Sequence, residues 1–245
     1  MTRKQSSIYD PQFVGSMFDR MSSTYGVANY ITSFGFTERW RWQCMANLPV
    51  VPANARGLDL MSGMGELWGE ILRKTGKGTA ITAVDISTQM HRKASKNLQQ
   101  FGQGNIHLLQ ADALNSGLPS ASADFVVSSF GLKTFDSAQQ RRLATEVHRL
   151  LKQGGVFSFV EISEPEVVLL KWPFMFYLKV LIPLIGKVFL GNAEDYRMLG
   201  RYCAAFRNCR PFFGFLRETG LEVHYKNHFY GCATAVCGTK KGSAP

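Results

Sequence analysis

Residues 59–66 of the chain read Asp59-Leu60-Met61-Ser62-Gly63-Met64-Gly65-Glu66. The stretch lies between a strand-like run and a segment with helical periodicity, which predicts a strand, a tight Gly-x-Gly turn and a helix. A turn of this kind brings bare backbone close to a nucleotide-like ligand at the start of the helix. In the common Asp-x-Gly-x-Gly-x-Gly form, the first glycine stands where this chain has Met61, and a second methionine, Met64, separates the two glycines. Two thioether side chains therefore occupy positions where smaller residues ordinarily admit the ligand.

The size and composition of the chain fit one α/β domain. It has 245 residues, of which 45% are hydrophobic, so we expect a single domain over residues 1–245. The 28 Lys and Arg against 18 Asp and Glu give a formal net charge of +10, which favours an anionic surface such as lipid head groups. The basic residues are scattered and accompany no recognisable nucleic-acid module, so we expect no nucleic-acid partner.

The cysteines and the first residues bear on the compartment. Five cysteines at irregular spacing, without a C-x-x-C pair, argue against a disulfide framework or a zinc knuckle and fit a reducing compartment. The first ten residues lack the apolar core of a secretory signal and already contain an acid. We therefore expect the mature chain to begin near Met1.

The segment from Arg56 onward alternates short apolar runs with helical periodicity, the pattern of a doubly wound parallel sheet. The predicted strands are 57–61, 79–85, 105–109, 124–129 and 156–161, and the helices between them are 66–74, 88–100 and 138–151. A closing hairpin is predicted over 221–230 and 232–238. The domain then divides into a helical N-terminal cover (13–48), a cofactor-binding core (56–161), an apolar insertion facing substrate or membrane (166–205) and a C-terminal helix and hairpin (211–240).

Residues 167–190 form the most apolar stretch of the chain. Lys171, Lys179 and Lys187 recur through it, and Pro173 and Pro183 interrupt it, which argues against a transmembrane span. Lysines eight residues apart lie near one face of a helix. The stretch therefore predicts a segment that lies on a membrane surface or roofs a pocket.

Three acidic residues stand at the ends of successive predicted strands. Asp59 ends the first strand, Asp85 ends the second, and Asp112 follows the third. Because the carboxyl ends of parallel strands meet at one edge of a sheet, Asp85 is placed to accept hydrogen bonds from ribose hydroxyls, with Asp112 near the adenine end. Asp59 and Asp112 could instead cap loops, and Asp85 could cap the next helix.

Motifs along nearly the whole chain carry a more specific resemblance. They are an opening signature over 18–40 that begins Phe18-Asp19-Arg20-Met21, then Ser129-Phe130-Gly131-Leu132, Leu150-Leu151-Lys152-Gln153-Gly154-Gly155, Glu161 and Asp195-Tyr196-Arg197-Met198-Leu199. From about residue 13 to residue 240 the chain resembles the ubiquinone/menaquinone C-methyltransferase family. The resemblance implies an α/β fold with the seven-stranded, Rossmann-like class I methyltransferase sheet, S-adenosylmethionine as cofactor and polyprenyl quinones as substrates. The cofactor-binding residues expected on this basis are Asp59, Met61, Ser62, Gly63, Met64, Gly65, Asp85, Ile86, Met90, Asp112, Ala113 and Ser129.

The chain departs from that family beside the expected ring site. The family is thought to help remove a ring proton with an arginine directly after the Phe-Gly-Leu segment, where this chain has Lys133. The family's Tyr-Asp near the start is Tyr25-Gly26 here, its His before the Trp is Thr37, and its Asn after the arginine is Thr134. Lysine is a flexible point charge and does not conservatively replace a planar bidentate donor. Several such changes together suggest altered chemistry.

The residues at which the chain departs from this family resemble those of a second group of proteins. Residues 59–66 and Phe130-Gly131-Leu132-Lys133-Thr134 together resemble the rhodoquinone-biosynthesis proteins of the RquA type, a divergent branch of the same family. This resemblance implies conversion of ubiquinone to rhodoquinone by exchange of a ring methoxy for an amino group, with S-adenosylmethionine as the nitrogen source and Mn²⁺ or another divalent metal as helper. We hypothesise that Met61 and Met64 re-aim the cofactor and that Lys133 or a metal polarises the quinone carbonyl.

The residues expected to carry this chemistry form two sets. Lys133, Tyr25, Tyr196 and Arg197 are the expected catalytic or ring-contacting residues. Because manganese prefers oxygen ligands, Glu66 and Asp112 are the expected metal ligands, with Asp85 and Glu161 as further candidates. Glu66 could instead be a helix-start acid that the helix dipole favours, and a buried tyrosine could be an ordinary core residue.

Two other functions remain open at the level of the sequence. One is ordinary S-adenosylmethionine-dependent C-methylation of a polyprenyl benzoquinol, a naphthoquinol or another prenylated ring. The other is a noncatalytic subunit of a quinone-synthesis complex. For any of them we expect ubiquinone or a related lipid as partner and a peripheral membrane location. That location would be the cytoplasmic side of the bacterial inner membrane, or the matrix side of the mitochondrial inner membrane in a eukaryote.

Overall fold

A computed structural model describes residues 8–23, 26, 33–101, 105–184 and 193–242. Its centre is a seven-stranded sheet with the order β3-β2-β1-β4-β5-β7-β6. The strands are β1 (Arg56–Leu60), β2 (Ala80–Asp85), β3 (Ile106–Gln110), β4 (Ala123–Ser129), β5 (Leu151–Ile162), β6 (Glu222–His228) and β7 (Ala233–Thr239). The described α-helices are α1 (Pro11–Met21), α2 (Phe36–Asn47), α3 (Trp68–Thr75), α4 (Thr88–Asn97), α5 (Ser137–Leu150), α6 (Val168–Phe176), α7 (Ala193–Phe206) and α8 (Arg210–Glu218).

The pairing of the strands is parallel except at one edge. β1 pairs with β2 and β4, β2 with β3, and β4 with β5, all in parallel. β7 inserts antiparallel between β5 and β6, so the predicted hairpin closes the sheet. The sequence therefore predicted the fold class and the order of elements correctly. Because these strands are parallel, their carboxyl ends lie at one edge of the sheet, where ligands of such sheets bind.

β5 begins five residues before the predicted start at Val156. Leu151 already pairs with Ala123, but the register then shifts so that Val156 pairs with Phe125. Gly154 has a φ of 76°, which lets the extra residues bulge out of the ladder. The Gln-Gly-Gly run is thus a bulge inside β5 and not a turn before it.

The two faces of the sheet are buried by different helices. On one face, Leu143 and Val147 of α5 and Phe212 of α8 pack in the cluster that includes Phe157. On the other face, Trp68 and Ile71 of α3 pack in the cluster that includes Phe125. All of these side chains are 0% exposed. Complete burial of such a side chain stabilises the fold by about 1.5–3 kcal/mol. These two layers hold the carboxyl edge of β1, β2 and β4 rigid.

The N-terminal cover is fastened to the carboxyl edge of β2. Asp10 caps α1 by accepting from two backbone amides. At the other end of α1, Asp19 accepts hydrogen bonds from Ser87 Oγ (2.6 Å) and Gln89 N (2.8 Å) at the start of α4. α2 packs against β5, where the Cys44 thiol contacts Ser158. The cover therefore closes over the strand ends where the ligand is expected.

α6 follows β5 and lies in the segment expected to form the apolar insertion. α6 continues into a short π-helical turn at Tyr177–Leu181. Leu169 is 88% exposed and Trp172 is 76% exposed, and Phe176 is exposed as well. No helix within the described ranges is long and apolar enough to cross a membrane. Lys187 lies outside the described residues.

Candidate active site

A cavity lies at the carboxyl ends of β1 to β4, and we call it the cofactor cavity. Nine of the twelve residues expected to bind the cofactor line it: Met61, Ser62, Gly63, Asp85, Ile86, Met90, Asp112, Ala113 and Ser129. Other lining residues include Arg41, Glu66, Phe130 and Gly131. The structure thus brings the ends of four strands and the residues 59–66 loop around one space.

Asp59, Met64 and Gly65 do not line this cavity. Asp59 lies behind the loop and is 1% exposed. Burial raises its pKa well above the ordinary value, and the nearby carboxylates of Glu66 and Asp85 raise it further. Gly65 has a φ of 88°, and a Cβ there would lie 2.4 Å from the Trp68 ring. Asp59 and Gly65 therefore shape the loop from behind. Met64 acts through its backbone, where the amide donates to Glu66 Oε2 (3.1 Å) and the carbonyl accepts from Asn97 (2.9 Å).

Met61 adopts the backbone conformation that favours glycine. Its φ is 54°, a left-handed value that is strained for a residue with a Cβ. This conformation explains why the common form of the loop has a glycine at this position. Met61 also packs on Gly131, where an added Cβ would lie 2.5 Å from the Met61 Cβ. Phe130, beside Gly131, has a φ of 65°, so two residues that line the cavity have left-handed backbone.

Asp85 is held by the backbone of two loops. Its Oδ2 accepts from Gly63 N (2.8 Å) and its Oδ1 accepts from Ser87 N (2.9 Å). Burial raises the pKa of Asp85 to about 6, although these two hydrogen bonds act in the opposite direction. The carboxylate is therefore preoriented toward the cavity at neutral pH, as a ribose-binding acid requires.

A second cavity, which we call the aromatic cavity, adjoins the first. Its walls are mostly aromatic and aliphatic side chains from α2, α6, α7 and the turn before β7, and they include Phe36, Trp40, Phe174, Tyr177, Leu178 and Phe229. Phe130 lines both cavities and separates them. A flat apolar ring in the second cavity would thus meet a ligand of the first at Phe130.

Lys133 brings a charge into the aromatic cavity. It is 3% exposed, and its Nζ donates to Glu161 Oε1 (2.8 Å) and to the Phe130 carbonyl (2.7 Å). Glu161, which is 0% exposed, also accepts from the Lys133 amide (3.0 Å) and the Ile162 amide (2.8 Å). Lys133 and Glu161 thus form a buried ion pair whose further hydrogen bonds offset part of the cost of burial.

Comparison with known proteins now identifies the family. The model of the ubiE/COQ5 methyltransferase family matches residues 4–240. The chain belongs to the ubiE/COQ5 methyltransferase family. A demethylmenaquinone methyltransferase of Lysinibacillus sphaericus is 27% identical over 231 residues, which are 94% of this chain and 97% of the relative. The corresponding protein of Thermotoga maritima is 29% identical and covers 91% of this chain and 93% of its own length.

Solved structures show the same fold. A S-adenosylmethionine-dependent methyltransferase of Thermotoga maritima, described as a possible histamine N-methyltransferase, superposes with a TM-score of 0.62 at 19% identity, over 92% of this chain and 99% of that one. The [4+2]-cyclase SpnF also superposes with a TM-score of 0.62, at 14% identity, over 95% and 97% of the two chains. One of these two neighbours is thus named for methyl transfer and the other for cyclisation, so the fold does not by itself decide the reaction.

The cofactor cavity of this ubiE/COQ5 family member suits S-adenosylmethionine. The sulfonium and ammonium of the cofactor give it a net positive charge, and the cavity is lined by the carboxylates of Glu66, Asp85 and Asp112. Asp85 at the end of β2 and Asp112 after β3 lie where the ribose and the adenine were expected. These residues would hold the cofactor, which supplies the group to be transferred.

Two of the four expected catalytic residues line the aromatic cavity. Lys133 and Tyr196 line the aromatic cavity, and Tyr196 is 1% exposed. Arg197 points away from both cavities, because it is exposed on α7 and pairs with Glu194. Tyr25 lies outside the described residues.

The expected metal ligands do not form a metal centre. Glu66 and Asp112 both line the cofactor cavity, but no three His, Cys, Asp or Glu side chains of the described chain come together as a metal site would require. Asp85 is engaged with two backbone amides and Glu161 with Lys133. The side chains in place do not fit a protein-held divalent ion, so we derive no step through one.

Two residues important to the site were not expected from the sequence. Phe130 belongs to the Ser-Phe-Gly-Leu motif, which does not predict that it separates the two cavities. Arg41 of α2 is 4% exposed and lines the cofactor cavity. No local pattern marks either role, because both depend on α2 folding over the strand ends.

Proposed function

We propose that this chain transfers the amino group of S-adenosylmethionine to the ring of ubiquinone, where it replaces a methoxy group and gives rhodoquinone. The single observation that carries this proposal is the buried Lys133 ammonium, held by Glu161 in the aromatic cavity beside Phe130. Family membership supports the cofactor and the class of ring. The choice of the amino group rests on the features that distinguish this chain.

The aromatic cavity supports a quinone as substrate. Its lining is almost entirely apolar, with the charged Lys133 as an exception, and a quinone is a flat apolar ring with carbonyl acceptors. Lys133 lines the same cavity, and in this proposal it turns one of its hydrogen bonds to a quinone carbonyl. A cation on a quinone carbonyl draws electrons out of the ring, which favours attack by a nucleophile such as an amine.

The exchange itself balances as an addition followed by an elimination. A bond forms between the amine nitrogen and the ring carbon that carries the methoxy group, and the carbon–oxygen bond to that methoxy then breaks. Methoxide leaves with the proton that the nitrogen gives up, as methanol. The quinone ring then accepts two electrons and the proton of the donor's α-carbon, which gives a quinol imine. Water hydrolyses this imine to the aminoquinol, the reduced form of rhodoquinone, and an α-keto acid that keeps the carbon skeleton of the donor. In this scheme Lys133 stabilises the negative charge that develops on the carbonyl oxygen during addition.

The acid–base groups of the aromatic cavity also favour this reaction. Methylation of a ring carbon requires a base that removes the ring proton. The described lining contains no Asp, Glu or His. Burial raises the pKa of Cys203 to about 12 and that of Cys232 to about 11, so both thiols stay protonated at neutral pH. An exchange of methoxy for amine needs no ring proton to be removed.

C-methylation of a polyprenyl quinol is the second candidate, and the comparisons favour it. Curated relatives that match along nearly the full length of this chain are named demethylmenaquinone methyltransferases. In this case Lys133 would stabilise the phenolate of the quinol, and the base would be a water molecule or a group of the substrate.

The surface around α6 supports delivery of the substrate from a membrane. Leu169, Trp172 and Phe176 are exposed on one element, and Phe174 and Tyr177 of the same segment line the aromatic cavity. Lys171 among them pairs with Glu164 (2.8 Å), whereas Lys179 of the following turn is exposed and can meet anionic head groups. We propose that this face rests on the lipid surface of a bacterial inner membrane, or of the mitochondrial inner membrane in a eukaryote, so that the isoprenoid tail need not leave the bilayer.

Mass spectrometry of the quinone product tests the proposal. The purified chain is incubated with S-adenosylmethionine and ubiquinone in vesicles, with and without Mn²⁺, and in parallel with a ring-demethylated quinol. A product lighter by the exchange of methoxy for amino supports amination. A product heavier by a methylene, formed only from the demethylated quinol, supports methylation. Binding of the cofactor without either product would indicate a noncatalytic subunit.

A further inference from the structure

Two polar atoms of opposite character are left without partners in the cofactor cavity. Arg41 Nε, a donor, and Glu66 Oε1, an acceptor, are both buried and have no hydrogen-bond partner among the described residues. Both side chains line the cavity. Leaving a buried charged group without a hydrogen bond is costly, so each atom indicates a ligand group that would complete it.

The surroundings hold these two side chains in place. Arg41 Nη1 donates to Glu38 Oε1, and the guanidinium carbon lies 5.4 Å from the centre of the Phe130 ring. Glu66 Oε2 accepts from the Met64 amide (3.1 Å). Arg41 Nη2 and Glu66 Oε1 are 3.8 Å apart, too far for a hydrogen bond between them. Each side chain is thus held by one hydrogen bond and keeps one buried polar atom without a hydrogen-bond partner among the described residues.

We infer that Arg41 and Glu66 bind the amino-acid end of S-adenosylmethionine, Arg41 the carboxylate and Glu66 the ammonium. An α-amino acid presents an anionic acceptor and a cationic donor on one carbon, which matches the unpartnered donor and acceptor. This inference rests on the proposed cofactor and deepens it. It also assigns Glu66, expected as a metal ligand, to a different task.

The position of Arg41 determines where the amino-acid end of the cofactor would lie. Arg41 lies over Phe130, the residue shared by the two cavities. Binding of the carboxylate by Arg41 therefore keeps the amino-acid end next to the aromatic cavity. In that place the amino group is close to the boundary that it must reach for transfer to a ring.

Calorimetric titration of the full chain, without a quinone, tests the assignment. The ligands are S-adenosylmethionine, its decarboxylated analogue and its analogue without the amino group. A charge-assisted hydrogen bond contributes about 10- to 100-fold in affinity, so the intact cofactor should bind that much more tightly than each analogue. Arg41→Gln should abolish the preference for the carboxylate, and Glu66→Gln should abolish the preference for the amino group. Arg41→Lys should keep part of the first preference.

The controls separate recognition from folding. Arg39→Gln changes an exposed arginine on the same helix and should leave both preferences at the wild-type level. A purely structural role of Arg41 would weaken all three ligands equally and leave the ratios unchanged, which would overturn the assignment. If the wild-type chain itself binds the intact cofactor and an analogue equally, the assignment is likewise wrong. These outcomes are independent of the quinone product, so failure here and failure of the proposed function are told apart.

Discussion

Lys133 Nζ lies 2.8 Å from Glu161 Oε1, and the two side chains are 4% and 0% exposed. The residues come from different elements, since Glu161 is in β5 and Lys133 lies in a short turn after β4. A buried ion pair is weak evidence for stability, but removal of one partner leaves the other charge buried and unpaired. The pair can therefore be tested for stability and for function separately.

Lys133→Met should lower the free energy of unfolding by about 3–5 kcal/mol, because the Glu161 carboxylate loses its cation. The double variant Lys133→Met/Glu161→Gln removes both charges and should recover most of this loss, yet it should make no product. Urea denaturation gives the stability, and mass spectrometry gives the product. A double variant that keeps the wild-type turnover would show that the ammonium has only a structural role.

The carboxyl edge of the sheet was predictable because the strand-end acids and the residues 59–66 loop are local patterns. Arg41 was not, because its role depends on α2 folding across an edge formed by residues far away in the sequence. Lys133 was expected from a motif, but its partner was not, since Glu161 follows it by 28 residues and meets it only through the β4 and β5 neighbours. The start of β5 was missed because a bulge around Gly154 resembles a turn in sequence.

Met61→Gly should relieve the left-handed strain at residue 61, which is worth about 1–2 kcal/mol, less the packing lost on Gly131. Gly131→Ala should destabilise the wild-type chain by about 1–3 kcal/mol, because its Cβ would clash with Met61. In the Met61→Gly background the same change should cost much less. Denaturation of the wild type and the three variants gives the coupling energy.

Gly214→Ala is the matched control for that cycle. Gly214 lies inside α8 and a Cβ there meets nothing within 4 Å, so alanine should be neutral or stabilising. Equal costs of Gly131→Ala in the two backgrounds would contradict the packing of Met61 on Gly131.

Affinity for S-adenosylmethionine should fall as the pH drops below about 6, the pKa to which burial raises Asp85. Below that pH the carboxyl is protonated, and affinity should decrease about tenfold per pH unit. The effect on stability has the opposite sign. Because the folded pKa lies above the ordinary value of 3.8, the contribution of Asp85 is present at low pH and is lost as the pH rises through about 6.

Titration of the cofactor between pH 5 and pH 8 measures this dependence, with the pH range set around the pKa of about 6. Asp85→Asn should bind the cofactor weakly over the whole pH range, and its affinity should not change around the pKa of Asp85. An Asp85→Asn variant with the wild-type pH profile would assign the titration to another group.

Leu169→Glu and Trp172→Glu should weaken binding to anionic vesicles about tenfold or more. Each replaces an exposed apolar side chain with a negative charge, which the anionic head groups repel. Stability should change by less than about 0.5 kcal/mol, since neither side chain is buried. Cosedimentation with vesicles gives the binding. Val50→Glu is the control, because Val50 is 90% exposed in the loop that enters β1. Equal losses for Val50 and Trp172 would contradict a specific membrane face.

The origin of the transferred atoms tests the central claim most directly. The chain is incubated with ubiquinone and with S-adenosylmethionine that carries ¹⁵N in its amino group and ¹³C in its methyl group, and the quinone is analysed by mass spectrometry. We predict a quinone that has lost one methoxy and contains ¹⁵N, with no ¹³C, and we predict no such product from Lys133→Met/Glu161→Gln. If ubiquinone gains no ¹⁵N, and a ring-demethylated quinol incubated in parallel gains ¹³C on its ring, amination is contradicted and methyl transfer is established.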